Sequence, residues 1–230
     1  MLEIRSLKVT LPSEDSHEKT LLGPLSFCAQ KGEVIAIRGS NGAGKSTLFK
    51  AINGLIPSFS GEILLDGCPL NPQTSAHKAL VSQVMQDPRL GTLAGLTLQE
   101  NLSFALKRGE KRGLKLANRT QERTFFQHHL APLNMGLEDR LDQKVDSLSG
   151  GQRQALSLVM ATLKMPKILL LDEITAALDP QASENVLSLM NNLVQNSSVI
   201  TLMITHHADE AEQYGNKTLW LEKGHIASLK

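Results

Sequence analysis

The nine residues from Gly39 to Thr47 constrain this chain more than any other segment. They match the pattern G-x-x-x-x-G-K-[ST] and comprise Gly39, Ser40, Asn41, Gly42, Ala43, Gly44, Lys45, Ser46 and Thr47. An apolar run over 34–37 predicts a buried strand before them, and residues 47–52 predict a helix after them. Glycines let backbone N–H groups turn toward phosphate oxygens, and the helix start adds partial positive charge. The segment therefore predicts a phosphate-binding loop, in which Lys45 reaches the β- and γ-phosphates and Ser46 binds Mg²⁺.

Bulk composition limits the other classes of function. The 230 residues are enough for one large domain or two small ones, and 41% of them are hydrophobic, as in ordinary globular proteins. A net charge of +1 and 3% aromatic residues predict no nucleic-acid partner. Cys28 and Cys68 have no metal-ligand spacing and are expected to be free thiols of a reducing compartment. No apolar run approaches the roughly 20 residues that span a bilayer, and the first residues lack a signal-peptide pattern, so we expect a cytosolic protein.

The pattern along the chain predicts an α/β fold with a mainly helical insert. Expected strands cover 2–11, 25–29, 34–37, 61–65, 80–85, 168–171 and 199–204, with a loop over 12–19. The segment 97–135 has helical periodicity. Expected helices cover 180–194 and 208–213, and residues 219–228 predict a terminal hairpin.

An apolar strand over 168–171 leads directly into Asp172 and Glu173. Carboxylates at the carboxyl edge of a buried strand lie where ligands bind in α/β sheets. We expect Asp172 to hold Mg²⁺ and Glu173 to orient and deprotonate a water molecule aimed at the γ-phosphate. The alternative is a strand that runs into a solvated loop.

A second anion-binding helix start is predicted at Ser149, Gly150, Gly151 and Gln152, which follow Leu148. The adjacent glycines expose backbone N–H groups, and Ser149 is suited to cap a helix over 152–163.

These segments, together with a later Thr205-His206, resemble in their order the ATP-binding subunit of ABC transporters over essentially the whole chain. The resemblance implies a single domain over 1–230 with a P-loop NTPase core around a mixed sheet. It also implies an N-terminal antiparallel β subdomain and an inserted α-helical subdomain over 87–150.

The resemblance further assigns roles to single residues. Gln86 matches the residue that touches Mg²⁺ and the attacking water, Asp179 belongs to the D-loop at 177–179, and His206 matches the switch histidine at the γ-phosphate. A histidine satisfied at a strand end is the alternative for His206. The group from Ser149 to Gln152 is implied to close over ATP held by a second copy, so ATP and Mg²⁺ are the expected cofactors.

The implied partners are a second copy in a head-to-tail dimer and an integral membrane permease, which would place the chain at the cytoplasmic face of the inner membrane. Residues 91–114, 149–154 and 174–179 are similar to a bacterial importer group that works with a substrate-binding protein. Some members of that group are linked to aromatic amino acids such as tryptophan. An exporter ATPase and a soluble ABC-type ATPase remain alternatives, whereas a GTPase would need an acid at Leu219, in the segment 216–219.

The chain departs from the family pattern at three positions. Leu11 stands where an aromatic residue usually stacks on adenine, Ile174 replaces a proline, and His207 replaces an acid. A basic cluster between 107 and 123 predicts a solvated helical face, with a permease loop or acidic lipid as the alternative contact. Its members are Lys107, Arg108, Lys111, Arg112, Lys115, Arg119 and Arg123.

Overall fold

The computed structural model describes residues 1–11, 19–56, 59–70, 74–110, 119–176 and 178–230. Strands in these residues are β1 (Leu2–Leu11), β2 (Lys19–Ala29), β3 (Val34–Gly39), β4 (Ser60–Leu65), β5 (Cys68–Pro69), β6 (Val81–Val84), β7 (Ile168–Asp172), β8 (Ile200–Ile204), β9 (Lys217–Glu222) and β10 (His225–Leu229). Helices are α1 (Lys45–Ile52), α2 (Ser75–Leu80), α3 (Pro88–Gly91), α4 (Leu98–Leu106), α5 (Arg119–Leu130), α6 (Gly150–Thr162), α7 (Pro180–Gln195) and α8 (Ala208–Tyr214). Short 3₁₀ turns cover Ala131–Leu133 and Val145–Ser147.

Two sheets organise the fold. The first has the order β2-β1-β4-β5 with antiparallel pairing, and the second has the order β10-β9-β3-β8-β7-β6. Strands β6, β7, β8, β3 and β9 run parallel, and β10 pairs antiparallel with β9. The expected mixed sheet and antiparallel β layer are therefore confirmed. Parallel pairing brings the carboxyl ends of β6, β7, β8 and β3 to one edge, where ligands bind in such sheets.

The central strands divide their side chains between two apolar cores. Along β3, Ile35 and Ile37 pack with the antiparallel sheet and α1, whereas Val34 and Ala36 pack with the helices on the opposite face. Successive side chains of a strand point to opposite faces, so a strand that is buried on both faces needs an uninterrupted run of apolar residues. The sequence of β3 has such a run over 34–37. The predominantly helical core contains residues of α4, α5, α6 and α7.

Most predicted elements are present, with ends that differ by a few residues. The predicted second strand is longer than expected, since β2 begins at Lys19, and residues 12–18 of the expected loop lie outside the described part of the chain. The short helices α2 and α3 were not predicted, because capping rather than periodicity defines them. Thr74 Oγ1 accepts from the His77 N–H, and Asp87 Oδ1 accepts from the Arg89 N–H.

Helices α3, α4 and α5 lie within the segment 87–150, where the inserted helical subdomain is predicted. Cys28 and Cys68 are free and exposed. None of the helices in the described ranges is long and apolar enough to cross a membrane.

The basic cluster does not form a uniform solvated face. Arg108 donates to the Ser82 hydroxyl on β6 and to the carbonyl oxygens of Ala161 (3.0 Å) and Lys164 at the end of α6. Arg123 forms a salt bridge of 2.8 Å with Asp142. Lys111, Arg112 and Lys115 lie outside the described residues, and nothing is described of the Arg119 side chain.

Arg108, which follows α4 within the predicted helical insert, thus ties that segment to the central sheet, and burial lowers the pKa of its guanidinium. We expect Arg108→Met to lower the free energy of unfolding by about 2–3 kcal/mol, because it leaves a hydroxyl and two carbonyls without their charged donor. Chemical denaturation of both proteins measures this difference. The matched control is Lys107→Met at the neighbouring exposed position, and an equal loss in both variants would contradict the assignment.

Candidate nucleotide-binding site

The segment after β3 forms a tight loop that opens directly into α1. Gly42 and Gly44 have φ values of +78° and +100°, which only glycine adopts without strain. A Cβ atom at Gly44 would lie 2.8 Å from Leu22 Cδ1, so the antiparallel sheet packs closely behind the loop. The Gly224 N–H donates to the Ala43 carbonyl oxygen at 3.0 Å and supports the loop from the turn between β9 and β10.

Lys45 is buried at the base of this loop, with 7% of its surface exposed. Its Nζ donates to the carbonyl oxygens of Gly39 (2.8 Å) and Ser40 (3.1 Å). Burial lowers the pKa of the ammonium group, and the nearby carboxylates of Glu173 and Asp172 oppose that effect. Because its hydrogen-bond partners are neutral, the loop keeps a positive charge beside glycine N–H groups, and this suits a phosphate chain.

Three neighbouring strands deliver the predicted catalytic groups to one point. Glu173 follows β7, Gln86 follows β6 and His206 follows β8. Gln86 Nε2 donates to Glu173 Oε2 at 3.0 Å, and His206 Nε2 lies 2.7 Å from Glu173 Oε1. The structure therefore brings all three residues together around a single carboxylate.

Asp172 and Glu173 differ in their environments. Asp172 ends β7 and is partly buried, and its pKa is raised by burial and by the neighbouring charge of Glu173. Glu173 has a left-handed backbone with φ of +46°, and its N–H donates to the Ile204 carbonyl oxygen at 3.0 Å. A non-glycine residue in this region is uncommon and typical of functional sites.

The described residues contain no group of three or more His, Cys, Asp or Glu side chains that could hold a metal ion. Ser46 is exposed at the start of α1, near the loop and not in such a cluster. Thr47 is partly buried in the same turn.

The second glycine motif begins α6. Ser149 Oγ accepts from the Gln152 N–H at 3.3 Å, and Gln152 Oε1 accepts from the Ser149 N–H at 3.2 Å, which is a capping box. Ser149 and Gly150 are exposed, whereas a Cβ atom at Gly151 would lie 2.8 Å from Ala182 Cβ on α7. The exposed pair is free to face a ligand or another chain, and Gly151 instead allows close helix packing.

Asp179 caps α7 by accepting from the Ala182 N–H at 2.9 Å. Ala177, in the same predicted loop, lies outside the described residues. A cleft of about 520 Å³ lies between the Gln86 segment and the start of α6. Its lining includes Gln86, Gly150, Arg153, Gln154, Ile174 and Leu178.

The three departures from the expected pattern have distinct environments. Leu11 is 49% exposed at the end of β1, so it offers an aliphatic surface. Ile174 is buried, and His207 precedes α8 with its N–H donating to Thr205 Oγ1 at 3.1 Å.

The sequence patterns did not reveal Arg38 and Glu210, which contact the loop that holds His206. Arg38 Nη2 lies 3.5 Å from the His206 carbonyl oxygen. The Arg38 guanidinium lies over the Trp220 ring. Glu210 accepts hydrogen bonds from Thr175 and Thr205. The available signal was the position of Glu210 in the first turn of the helix after His206, where an acid also suits the helix dipole.

A family model described as ABC transporter matches residues 22–176. This chain belongs to the ABC transporter family. A tyrosine transport ATP-binding protein of Clostridioides difficile is 43% identical over 98% of the chain and 90% of that protein. The thiamine import ATP-binding protein of Vibrio vulnificus is 36% identical over 86% of the chain and 80% of that protein.

Solved structures agree with the fold of this ABC ATPase. A dimeric ATP-binding cassette in a post-hydrolysis state with ADP and Pi has a TM-score of 0.85 and 23% identity. The structural match covers 100% of this chain and 98% of the solved chain. This likeness confirms the predicted fold class. The family model and the Clostridioides difficile relative confirm the prediction of an ATPase.

The partly buried carboxylate of Asp172 is expected to lower the free energy of unfolding of the nucleotide-free ABC ATPase. We expect Asp172→Asn to raise the free energy of unfolding of the nucleotide-free protein at neutral pH, because a neutral amide avoids the penalty on the charged form. The gain should shrink as the pH falls through the raised pKa of Asp172, since the parent carboxyl then takes up its proton.

Thermal or chemical unfolding at several pH values measures this effect, with Asp139→Asn at an exposed position as the control. A loss of stability at neutral pH in Asp172→Asn alone would contradict it.

Proposed function

We propose that this ABC ATPase hydrolyses ATP to power a membrane permease that imports a small solute of the aromatic amino-acid class. The observation that supports hydrolysis is the convergence of Gln86, Glu173 and His206 at the edge that also presents the Lys45 loop. The proposal for the solute rests on the tyrosine transport relative and on the resemblance of residues 91–114 to importer subunits.

The triphosphate is held by the loop from Gly39 to Thr47, with Lys45 as the positive charge at its base. The residues present fit Mg²⁺, because Ser46 and Asp172 offer oxygen ligands, Gln86 offers an amide oxygen, and Mg²⁺ usually takes its remaining ligands from phosphates and water. When bound, Mg²⁺ neutralises charge on the transferred phosphoryl group.

Glu173 acts as the general base. Its carboxylate orients a water molecule toward the γ-phosphate and accepts a proton from that water. Gln86 and His206 fix the direction of the carboxylate, since each contacts one of its two oxygens. His206 is also available to donate to the γ-phosphate.

A second copy completes each site. Ser149 and Gly150 are exposed at the start of α6, where Gly150 offers its backbone N–H group and Ser149 its hydroxyl to the nucleotide on the other chain. Gln152 holds Ser149 in place, and Asp179 lies at the start of α7 near the same surface. A head-to-tail pair closes two such sites symmetrically, and hydrolysis reopens them.

The permease places the ABC ATPase at the cytoplasmic face of the membrane, and a substrate-binding protein delivers the solute on the other side. Uptake of labelled tyrosine and tryptophan into vesicles tests this directly. The vesicles contain the chain and the membrane proteins encoded beside its gene, with ATP inside and the substrate-binding protein outside. ATP-dependent accumulation supports import, whereas ATP-dependent efflux would contradict it.

Glu173→Gln should preserve ATP binding, lower turnover by about 10²–10⁴-fold and trap an ATP-bound dimer, because the amide cannot accept the proton. Phosphate release and size-exclusion chromatography with ATP measure the two effects. Glu222→Gln on an exposed part of β9 is the matched control. Turnover at the parent rate in Glu173→Gln would remove this residue from the mechanism.

Leu11 leads us to expect weak discrimination between bases, since an aliphatic surface lacks the stacking that an aromatic residue provides. The ratio of kcat/KM for ATP to that for GTP should stay below about a hundredfold, which corresponds to about 2.7 kcal/mol. Leu11→Tyr should tighten ATP binding. A ratio above a hundredfold in the parent protein would show that base recognition lies elsewhere.

A further inference from the structure

A second carboxylate lies behind the groups that surround Glu173. Glu210, in the first turn of α8, accepts from Thr175 Oγ1 at 2.6 Å through one oxygen and from Thr205 Oγ1 through the other. Thr175 follows Glu173 by two residues, and Thr205 directly precedes His206. One side chain is therefore bonded to both loops that present the reacting groups.

Burial makes these two hydrogen bonds consequential. Thr175 is 6% exposed and Thr205 is 2% exposed, so water is a poor substitute for the carboxylate. A hydrogen bond to an ionised acceptor is stronger than one between neutral groups, and a buried hydroxyl that loses its partner is costly. Thr205 Oγ1 also accepts from the His207 N–H at 3.1 Å, which fixes the direction of its own proton toward Glu210.

In the described residues, His206 and Glu173 also contact each other through their side chains, and the backbone hydrogen bonds beside them lie before His206. The Glu173 N–H donates to the Ile204 carbonyl oxygen at 3.0 Å, but this bond lies before His206. The Thr205 N–H reaches the Ile37 carbonyl oxygen only at 3.4 Å. Glu173 itself has φ of +46°, a conformation that surrounding contacts must maintain.

We propose that Glu210 is a positioning residue that sets the distance and direction between Glu173 and His206. This inference rests on the proposed roles of those two residues in hydrolysis. Glu210 clamps Thr175 and Thr205, and the clamp keeps the His206 imidazole 2.7 Å from the Glu173 carboxylate. Small displacements of reacting groups have large effects on rate, so the clamp acts on kcat and leaves nucleotide binding at Lys45 intact.

Kinetic variants separate this role from a purely structural one. Glu210→Ala and Glu210→Gln remove one or both charge-assisted bonds, and we expect kcat to fall by about tenfold to a hundredfold while KM for ATP changes little. Thr175→Val and Thr205→Val should give the same split, and the corresponding serine variants should recover most of the rate. Glu212→Gln, an exposed carboxylate on the same helix, is the matched control.

Combined variants test whether the three side chains act together. If Glu210 works through Thr175, Glu210→Ala combined with Thr175→Val should lower kcat little further than Glu210→Ala alone. Independent, multiplicative losses would overturn the clamp.

A readout in the nucleotide-free protein is available from Trp220, the sole tryptophan of the chain. Trp220 stacks on Arg38 at 5.2 Å, and Arg38 reaches the His206 carbonyl oxygen. Displacement of His206 should therefore shift the tryptophan emission in Glu210→Ala and in Glu210→Gln, and leave it unchanged in Glu212→Gln.

The outcomes distinguish the clamp from the proposed hydrolysis. The number of ATP sites per chain, measured by equilibrium binding, corrects every rate for folded protein. The clamp is overturned if all Glu210 variants have the kcat of the parent protein. It is also overturned if their loss of rate disappears once kcat is corrected for the number of ATP sites. If the Glu210 variants keep the parent kcat while Glu173→Gln, measured in parallel, is inactive, only the clamp is overturned. An active Glu173→Gln would overturn the hydrolytic mechanism itself.

Discussion

Parallel pairing of β6, β7, β8 and β3 is the constraint on which the site depends. Each strand is too short and too apolar to act alone, but their register places four carboxyl ends side by side. At these ends the chain places Gln86 after β6, the pair Asp172 and Glu173 at β7, His206 after β8 and the Lys45 loop after β3. Since the strands are buried on both faces, a shift in register would misplace both cores together with the site.

Burial in the site disfavours the charged forms of its ionisable groups. Burial lowers the pKa of Lys45 and raises that of Asp172, so neither charged form is well solvated before nucleotide binds. Both groups cost stability in the resting protein, and the Lys45 ammonium is expected to gain an anionic partner when a triphosphate binds. The capping box at Ser149 is different, because it is satisfied within the chain while its outer surface stays exposed.

Sequence patterns predicted the parts of the fold that depend on local spacing. The glycine-rich loop, the apolar strand ending in Asp172 and the helix after Ser149 each have short-range signals, and the structure contains all three elements. The long-range contacts of Arg108 with Ser82, Ala161 and Lys164, and of Glu210 with Thr175, were not predictable. They join residues 26 to 56 positions apart whose types are compatible with an exposed surface. The meeting of Gln86, Glu173 and His206 followed from resemblance, and strand order supplies its physical reason.

The central claim is that each nucleotide is shared between two copies. It is tested most directly by mixing two inactive variants, Lys45→Ala and Ser149→Arg, and measuring ATP turnover. In a shared arrangement, a mixed pair places both defects in one site and leaves the other intact, so mixing should restore up to about a quarter of the parent rate. A Ser149→Arg protein that hydrolyses ATP at the parent rate by itself, or a mixture as inactive as its components, would contradict the account.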